Sequence, residues 1–268
     1  MIEELFRIGP IAISPFGAML VLALMGGYWL LARQMIRRGI GDQDDASAIV
    51  FACGFAGILG GKIYYAILVG DWYTLIDRAG IVWYGSLIAG VAAFFWALRQ
   101  RRLPAGPTLD AAAPALAFGY GVGRIGCFLV GDDYGIPTDL PWGVAFKVGL
   151  PPSTAANLRY QFGVEVDPQI ADATMLAVHP TQLYTTFASF GICIFALWLA
   201  GSRKLRPGAL FLIVMALMSV ERFLVEILRA KDDRFFGVFT VAQLISVVIL
   251  VIVAILWRRL RQGTEGDA

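Results

Sequence analysis

The chain has 268 residues, of which 58% are hydrophobic and 16% are charged, and its mean hydropathy is +0.70. A soluble globular protein carries about 25% charged residues, so this composition indicates an integral membrane protein. The formal net charge of +2 is too small to favour a nucleic-acid partner, and no basic run is interleaved with aromatic residues as base stacking requires.

Seven apolar runs are each long enough to cross a bilayer, which takes about 20 residues. They lie near residues 11–32, 46–69, 80–98, 111–131, 180–200, 207–228 and 236–257. We therefore predict an all-α integral membrane protein with seven transmembrane helices. Glu3 and Glu4 precede the first run, whereas a cleaved signal peptide begins with basic residues, so we expect this helix to be retained.

The distribution of Lys and Arg predicts the orientation, because basic residues concentrate on the cytoplasmic side. Twelve follow the odd-numbered runs, namely Arg33, Arg37, Arg38, Arg99, Arg101, Arg102, Arg203, Lys204, Arg206, Arg258, Arg259 and Arg261. Seven lie on the opposite side, namely Arg7, Arg78, Lys147, Arg159, Arg229, Lys231 and Arg234. This pattern places the N-terminus outside and the C-terminus in the cytoplasm. Residues 132–178, a long Pro-containing connection, then form a small ordered extracytoplasmic head.

Three basic residues lie within predicted spans, at Lys62, Arg124 and Arg222. Counted along helices that rise 1.5 Å per residue, each lies roughly 20–24 Å above the cytoplasmic side. Tyr84 and His179 lie near the outer ends of their runs, so the polar groups share one outer-leaflet layer. Such a layer suits a phospholipid headgroup, whereas a transporter more often binds ions near the midplane.

Arg222, Glu226 and Arg229 have the spacing i, i+4, i+7, which predicts one helix face and an anion site in which Glu226 orients Arg222. A structural ion pair between Arg222 and Glu226 remains an alternative, as does a snorkelling Lys62. Tyr84 is equally compatible with an aromatic belt at the interface. Arg124 has no acid three or four residues away, so a purely structural role is less favoured.

Two further patterns argue against other chemistry. Residues 121–126 fit the dinucleotide-binding pattern GxGxxG, but a helical apolar run surrounds them instead of the required βαβ unit. The cysteines, Cys53, Cys127 and Cys193, lack CxxC spacing and a companion histidine. We therefore predict no metal site and no cofactor.

Four motifs, in order, resemble those of the prolipoprotein diacylglyceryl transferases. Residues 123–135, GRIGCFLVGDDYG, resemble the signature GRxGNFxNxExxG, and residues 179–184, HPTQLY, match HPxQLY. Residues 222–229, RFLVEILR, resemble (F)RxxVExxR, and residues 60–65, GGKIYY, are similar to GGRxxY. The resemblance covers roughly residues 10–257.

This resemblance implies transfer of a diacylglyceryl group from phosphatidylglycerol to the lipobox cysteine thiol of a preprolipoprotein, in the bacterial inner membrane. It implies phosphate stabilisation by Arg124 and Arg222, with Glu226, Asp132, Tyr84 and His179 as further catalytic positions. The substrate-binding positions that it implies, besides the two arginines, are Arg229, Lys62, Tyr65, Gly135, Gln182 and Tyr184.

The chain departs from the family pattern at several positions. Tyr84-Gly85-Ser86 stands where the family has HGG, and Cys127, Asp132, Thr185 and Phe16 replace an asparagine, two glutamates and a tyrosine. The phosphate-binding half is therefore retained and the proton-handling half is altered. The base stays open: His179 has the better intrinsic pKa, near 6.5, whereas a phenol such as Tyr84 titrates near 10.

Two other functions remain open at this point. One is a membrane enzyme that uses an anionic phospholipid with another acceptor, and the other is a non-catalytic lipid-binding or transport protein. Release of glycerol phosphate separates the enzymes of this type from a binding protein.

Overall fold

The computed structural model describes residues 6–8, 11–76, 80–202, 205–231, 234–235 and 239–262. These residues form seven α-helices: α1 (Pro15–Arg38), α2 (Gln43–Val69), α3 (Trp83–Arg101), α4 (Ala105–Val130), α5 (Thr181–Ser202), α6 (Ala209–Glu226) and α7 (Val241–Gln262). Short strands β1 (Phe6–Ile8) and β2 (Ile11–Ile13) pair antiparallel, as do β3 (Arg234–Phe235) and β4 (Phe239–Thr240). The helical class that the sequence predicts is confirmed.

The first helix begins later than predicted. Residues 11–13 belong to a hairpin, and Ser14 caps the helix by accepting a 3.0 Å hydrogen bond from the N–H of Gly17. Some residues used in the predictions lie outside the described part of the chain: Glu3, Glu4, Arg78, Arg203, Lys204 and residues 236–238.

Five of these helices are long and apolar enough to cross a membrane by length and composition, namely α1, α2, α4, α5 and α7. The protein is therefore a multi-pass helical membrane protein. Helices α3 and α6 have only 19 and 18 residues, and α6 carries three charged residues, Glu221, Arg222 and Glu226. The described residues therefore form seven helices as predicted, but only five of them are apolar enough to identify as membrane spans by composition.

Glycines bring α2 and α3 into close contact. A Cβ added to Gly60 would lie 2.6 Å from the carbonyl oxygen of Gly85, and one added to Gly61 would lie 2.4 Å from Ser86 Oγ. The N–H of Val82 also donates a 3.2 Å hydrogen bond to the carbonyl of Gly61. The paired glycines of the GGKIYY motif are thus explained by helix packing.

Helix α4 is central to the packing. It contacts α1, α5 and α6, and it contributes alanines to two apolar cores. One core joins it to α1, α2 and α3, and includes Ala111. The other joins it to α1, α5 and α6, and includes Ala113. Small side chains on α4 let its neighbours approach closely, which brings the C-terminal ends of α4 and α6 and the N-terminal end of α5 together.

A buried carboxylate of α4 fixes the position of α6 along its axis relative to α4. Asp110 of α4 is 1% exposed, and its two oxygens each accept a 2.9 Å hydrogen bond, from the N–H groups of Gly208 and Phe211. These donors belong to the first turn of α6, where backbone N–H groups lack partners within the helix. Asp110 therefore supplies the cap that Gly208, at the N-cap position, cannot provide.

Residues 132–178, the head segment, have a small apolar core of their own. Tyr134, Phe146, Leu158 and Val178 are buried together with Ala230, which follows α6. The hydroxyl of Tyr134 donates to the carbonyl oxygens of Pro151 and Pro152, at 2.9 and 3.2 Å. The segment is therefore packed rather than extended, and it rests on the chain that leaves α6.

Candidate functional site

Three arginines and two acids form one continuous chain of ion pairs near the C-terminal ends of α4 and α6. Arg124 Nη1 lies 2.7 Å from Asp133 Oδ2, and Arg229 pairs with the other oxygen of Asp133. Arg229 Nη1 lies 3.2 Å from Glu226 Oε2, and Arg222 Nη1 lies 2.7 Å from the same oxygen. These five residues are the arginine cluster. It connects the two arginines that the sequence singled out, Arg124 and Arg222, through Asp133, Arg229 and Glu226.

The arginine cluster is most deeply buried in its middle and is partly accessible towards both ends. The side chain of Glu226 is 0% exposed and that of Arg229 is 6% exposed, whereas Arg222 and Asp133 reach 21% and 34%. Three guanidinium groups face two carboxylates, so the cluster carries one positive charge in excess. A desolvated cationic excess of this kind binds an anion strongly, because the interior screens charge poorly.

Asp133 sits between two guanidinium groups. Burial alone would raise the pKa of the Asp133 carboxyl, but the adjacent Arg229 and Arg124 hold that pKa below its ordinary value. The carboxylate is therefore charged at neutral pH, and it anchors both arginines. The sequence pointed to Asp132 instead. Its side chain is exposed and belongs to none of these ion pairs, while its N–H donates a 2.9 Å hydrogen bond to the carbonyl of Cys127 and its own carbonyl accepts a 2.6 Å hydrogen bond from Gln182 Nε2.

The turn after α4 places Asp133 in this position. Gly131 ends the helix with φ +72°, and Asp133 itself has φ +65°, a left-handed conformation that Asp tolerates better than most residues. The Thr181 hydroxyl donates a 2.8 Å hydrogen bond to the carbonyl of Asp133. The HPTQLY segment at the start of α5 therefore holds the turn that carries this carboxylate.

Arg229 does not lie on the helix face that the sequence predicted. Helix α6 ends at Glu226, and a tighter turn follows, in which the N–H of Arg229 donates 3.3 Å to the carbonyl of Glu226. Arg229 then forms a β-bridge with Gly135. The prediction of a continuous face over all three residues is therefore wrong, although the three side chains still meet.

Gly135 lies in the backbone framework of the site. Its N–H donates a 2.8 Å hydrogen bond to the carbonyl of His179. A Cβ at this position would lie 2.5 Å from the carbonyl oxygen of Leu228 and 2.7 Å from His179 Cβ. This close packing explains the need for glycine without any contact to a substrate.

His179 and Tyr184 are linked to the head segment. His179 Nδ1 lies 3.1 Å from the Tyr184 hydroxyl, and Trp142 Nε1 donates a 2.7 Å hydrogen bond to the same hydroxyl. Burial lowers the pKa of His179 below its ordinary value, so the imidazole is neutral at pH 7. If the Tyr184 hydroxyl accepts from Trp142 and donates to Nδ1, the imidazole proton resides on Nε2, which makes His179 a donor rather than a base.

The remaining predicted residues form a second group on α2 and α3. Lys62 Nζ donates a 3.5 Å hydrogen bond to the carbonyl of Thr74, and the ring of Tyr65 packs against Gly80. Tyr84 begins α3 beside Trp83 and is 41% exposed. Within the described residues, no hydrogen bond or ion pair joins Tyr84 to the arginine cluster. The structure therefore links the predicted residues of α4, α5 and α6 by hydrogen bonds and ion pairs, whereas the contacts described for Lys62, Tyr65 and Tyr84 are with α2, α3 and the segment between these helices.

Sequence reasoning assigned no role to two further polar groups of the site. The Tyr120 hydroxyl lies 3.1 Å from Arg124 Nη2, and the Arg124 guanidinium lies over the Tyr120 ring at 5.2 Å. The i−4 spacing from Arg124 was the signal for this contact. Glu221, beside Arg222, is 8% exposed, and its position inside an apolar run was the signal for it. The described residues contain no group of three or more His, Cys, Asp or Glu side chains placed to hold a metal ion.

Comparison with known proteins adds the following findings. A family model described as prolipoprotein diacylglyceryl transferase matches residues 3–259. The phosphatidylglycerol–prolipoprotein diacylglyceryl transferase of Geobacter sulfurreducens is 30% identical over 254 residues, covering 90% of this chain and 88% of that protein. The protein of the same name from Clostridium tetani is 31% identical, with coverage of 92% and 93%. That from Corynebacterium glutamicum is 27% identical, with coverage of 98% and 84%.

Proposed function

The chain belongs to the prolipoprotein diacylglyceryl transferase family, and we propose that it transfers a diacylglyceryl group from phosphatidylglycerol to a lipobox cysteine of a preprolipoprotein. The observation that carries this proposal is the arginine cluster, with its single excess positive charge near the ends of α4 and α6. A phosphodiester carries one negative charge, which complements the guanidinium charge that the ion pairs with Asp133 and Glu226 leave over.

The reaction breaks one bond and forms another. The thiolate sulfur of the acceptor cysteine bonds to the glyceryl carbon, and the bond from that carbon to the phosphate oxygen breaks. The electron pair stays on the phosphate, so negative charge grows on the leaving glycerol phosphate. Guanidinium groups that are already in place stabilise this growing charge more than they stabilise the bound substrate, and this difference accelerates the reaction.

Within the cluster, we assign phosphate contact to Arg222 and Arg124. Arg222 has the most accessible side chain of the three arginines, and its Nη1 is oriented by Glu226. Arg124 is positioned by Asp133 on one side and by Tyr120 on the other. Arg229 is almost fully buried between Asp133 and Glu226, so we assign it the role of holding the two acids in place.

The other predicted positions are proposed to bind the rest of the substrates. Lys62, Tyr65 and Tyr84, on α2 and α3, are assigned to the glycerol headgroup or the incoming peptide. Gln182 and Tyr184 support the site from α5. Asp132 is exposed at the rim, where it is able to exchange protons with solvent.

We further propose that α3 and α6 also cross the membrane, which gives seven spans. The close α2–α3 contacts run from Cys53 against Gly90 to Gly61 against Val82, so α3 returns antiparallel along α2. Helix α6 also packs against α5, through the apolar core that contains Leu199 and Leu210. Most basic residues lie at the helix ends remote from the site, and such residues concentrate on the cytoplasmic side. The site therefore faces the extracytoplasmic side of a bacterial inner membrane.

Complementation tests this function. In cells depleted of their own transferase, the wild-type chain is expected to restore lipidation of a reporter lipoprotein, measured by its shift in gel mobility. Arg124→Ala and Arg222→Ala are each expected to lower the rate on the order of 100-fold or more, as for removal of one charge-stabilising donor. Arg159→Ala, in the head segment and outside the site, is the matched control.

Wild-type protein that reaches normal abundance in the membrane but leaves the reporter unmodified would contradict the proposal. Release of glycerol phosphate from phosphatidylglycerol by purified protein, without modification of the reporter, would identify another acceptor instead.

A further inference from the structure

Glu221 is a buried carboxylate that the ion pairs of the arginine cluster do not use. It precedes Arg222 on α6 and is 8% exposed. Neither of its oxygens has a hydrogen-bond partner of normal geometry among the described residues. A buried carboxylate without partners costs several kcal/mol, so its presence in a stable fold points to a functional use. Asp133 and Glu226 differ, because each is paired with two guanidinium groups.

The surroundings of Glu221 combine one hydroxyl with two cations. Thr185 of α5, which is 2% exposed, lies beside the carboxylate, and the positive charges that act on it are Arg222 of its own helix and Arg124 of α4. Glu221 therefore lies where α4, α5 and α6 meet, next to both arginines assigned to the phosphate.

The same junction contains further polar groups without partners. On α5, Gln182, Thr185 and Ser189 are spaced to lie on one helix face, and all three are buried. Gln182 Oε1 and Ser189 Oγ have no hydrogen-bond partner among the described residues. The polar face of α5 and the carboxylate of Glu221 are therefore buried polar groups close to the arginine cluster.

The other acid–base groups of the site are less suited to accept a proton. Both oxygens of Asp133 face guanidinium groups, and protonating that carboxylate would break these pairs. His179 Nδ1 is engaged by Tyr184. Tyr84 of α3 has no hydrogen bond or ion pair to the arginine cluster among the described residues.

We propose that Glu221 is the proton acceptor for the attacking thiol. This inference rests on the proposed transferase function. The carboxylate takes the S–H proton and becomes a neutral carboxylic acid, while the sulfur keeps the electron pair and attacks the glyceryl carbon. The proton then passes to the departing glycerol phosphate, which restores the carboxylate. Because this base lies beside the phosphate-binding arginines, the thiolate forms close to the groups that stabilise the leaving phosphate.

The test measures transfer by purified protein in phosphatidylglycerol nanodiscs, with a lipobox peptide as acceptor. For Glu221→Gln, kcat is expected to fall on the order of 100-fold or more, because general base catalysis contributes about 10²- to 10⁴-fold. KM for phosphatidylglycerol is expected to stay unchanged, since the arginine cluster is intact. In wild type and in Glu221→Asp, kcat is expected to fall at low pH, because the carboxylate becomes protonated. In Glu221→Gln this fall is expected to be absent.

Three controls separate the outcomes. Ser219→Ala replaces another buried polar residue of α6 and is expected to behave as wild type, and thermal unfolding of Glu221→Gln verifies that the variant is folded. Asp132→Asn tests the exposed carboxylate at the rim. The inference is overturned if Glu221→Gln has the kcat of wild type. It is also overturned if the fall of kcat at low pH disappears in Asp132→Asn rather than in Glu221→Gln. An inactive wild-type protein overturns the transferase function itself.

Discussion

Asp133 joins two of the three arginines, so replacing it with asparagine tests whether the ion pairs of the cluster stabilise the fold. The side chain keeps its size but loses its charge. Among the described residues, Arg124 then retains its contact with Tyr120, and Arg229 retains its pair with Glu226. With the carboxylate gone, three guanidinium groups face a single acid, and the excess charge of the cluster rises from one to two.

The expected loss of stability lies between two limits. Removing one partner of a fully buried pair costs about 3–5 kcal/mol, whereas an exposed pair contributes about 1 kcal/mol or less. Asp133 is 34% exposed and its partners are 14% and 6% exposed, so solvent screens part of the interaction. We expect a loss of about 2 kcal/mol, equivalent to a drop in Tm of about 4–8 °C for a chain of this size.

Thermal unfolding in detergent, followed by tryptophan fluorescence, measures this loss. Asp132→Asn is the matched control, since it removes the neighbouring carboxylate, which lies exposed outside the ion pairs. A Tm for Asp133→Asn equal to that of Asp132→Asn would refute the stabilising role of the cluster.

The pH dependence gives a second readout of the same residue. The folded-state pKa of Asp133 is lowered, so its contribution to stability is fully present above the unfolded value of about 3.9. This contribution is lost as the pH falls through the lower folded-state pKa. The Tm difference between wild type and Asp133→Asn is therefore expected to be constant near neutral pH and to shrink in acid. A difference that grows in acid would contradict this assignment.

Two further substitutions test the framework of the site. Gly135→Ala places a Cβ 2.5 Å from a backbone oxygen, so we expect a loss of about 1–3 kcal/mol by thermal unfolding. Gly123→Ala, where the added Cβ meets nothing within 4 Å, is expected to be neutral or stabilising, and equal effects would contradict the packing. Asp110→Asn turns one of the two acceptors of the α6 cap into a donor, with an expected cost of about 1–3 kcal/mol. Asp44→Asn, at an exposed position, is its control. A Tm of Asp110→Asn no lower than that of the control would contradict the role of Asp110 as a cap.

Hydropathy identified the positions of the helices, because run length and polarity are local properties of the sequence. The start of the first helix was missed because residues 11–13 pair with residues 6–8, and that pairing is not visible in hydropathy. Similarly, the end of α6 before Arg229 depends on the β-bridge to Gly135, a contact between distant parts of the chain.

The arginines themselves were identified because charge inside an apolar run is conspicuous. Their partners were harder to assign. Asp133 reaches Arg124 from nine residues away only because the turn after α4 adopts a left-handed conformation at Asp133. Adjacent acids at 132 and 133 are indistinguishable by composition, and the choice between them is made by this turn. The separation of Tyr84 from the arginine cluster was also invisible, since depth along a helix does not define which neighbours it faces.

A structure of the protein with bound phosphatidylglycerol tests the central claim most directly. We predict that the lipid phosphate lies within hydrogen-bond distance of both Arg124 and Arg222, with the two acids of the cluster still paired to their guanidinium groups. A phosphate bound instead between α2 and α3, beside Lys62 and Tyr84, with both arginines directed away from it, would contradict the account.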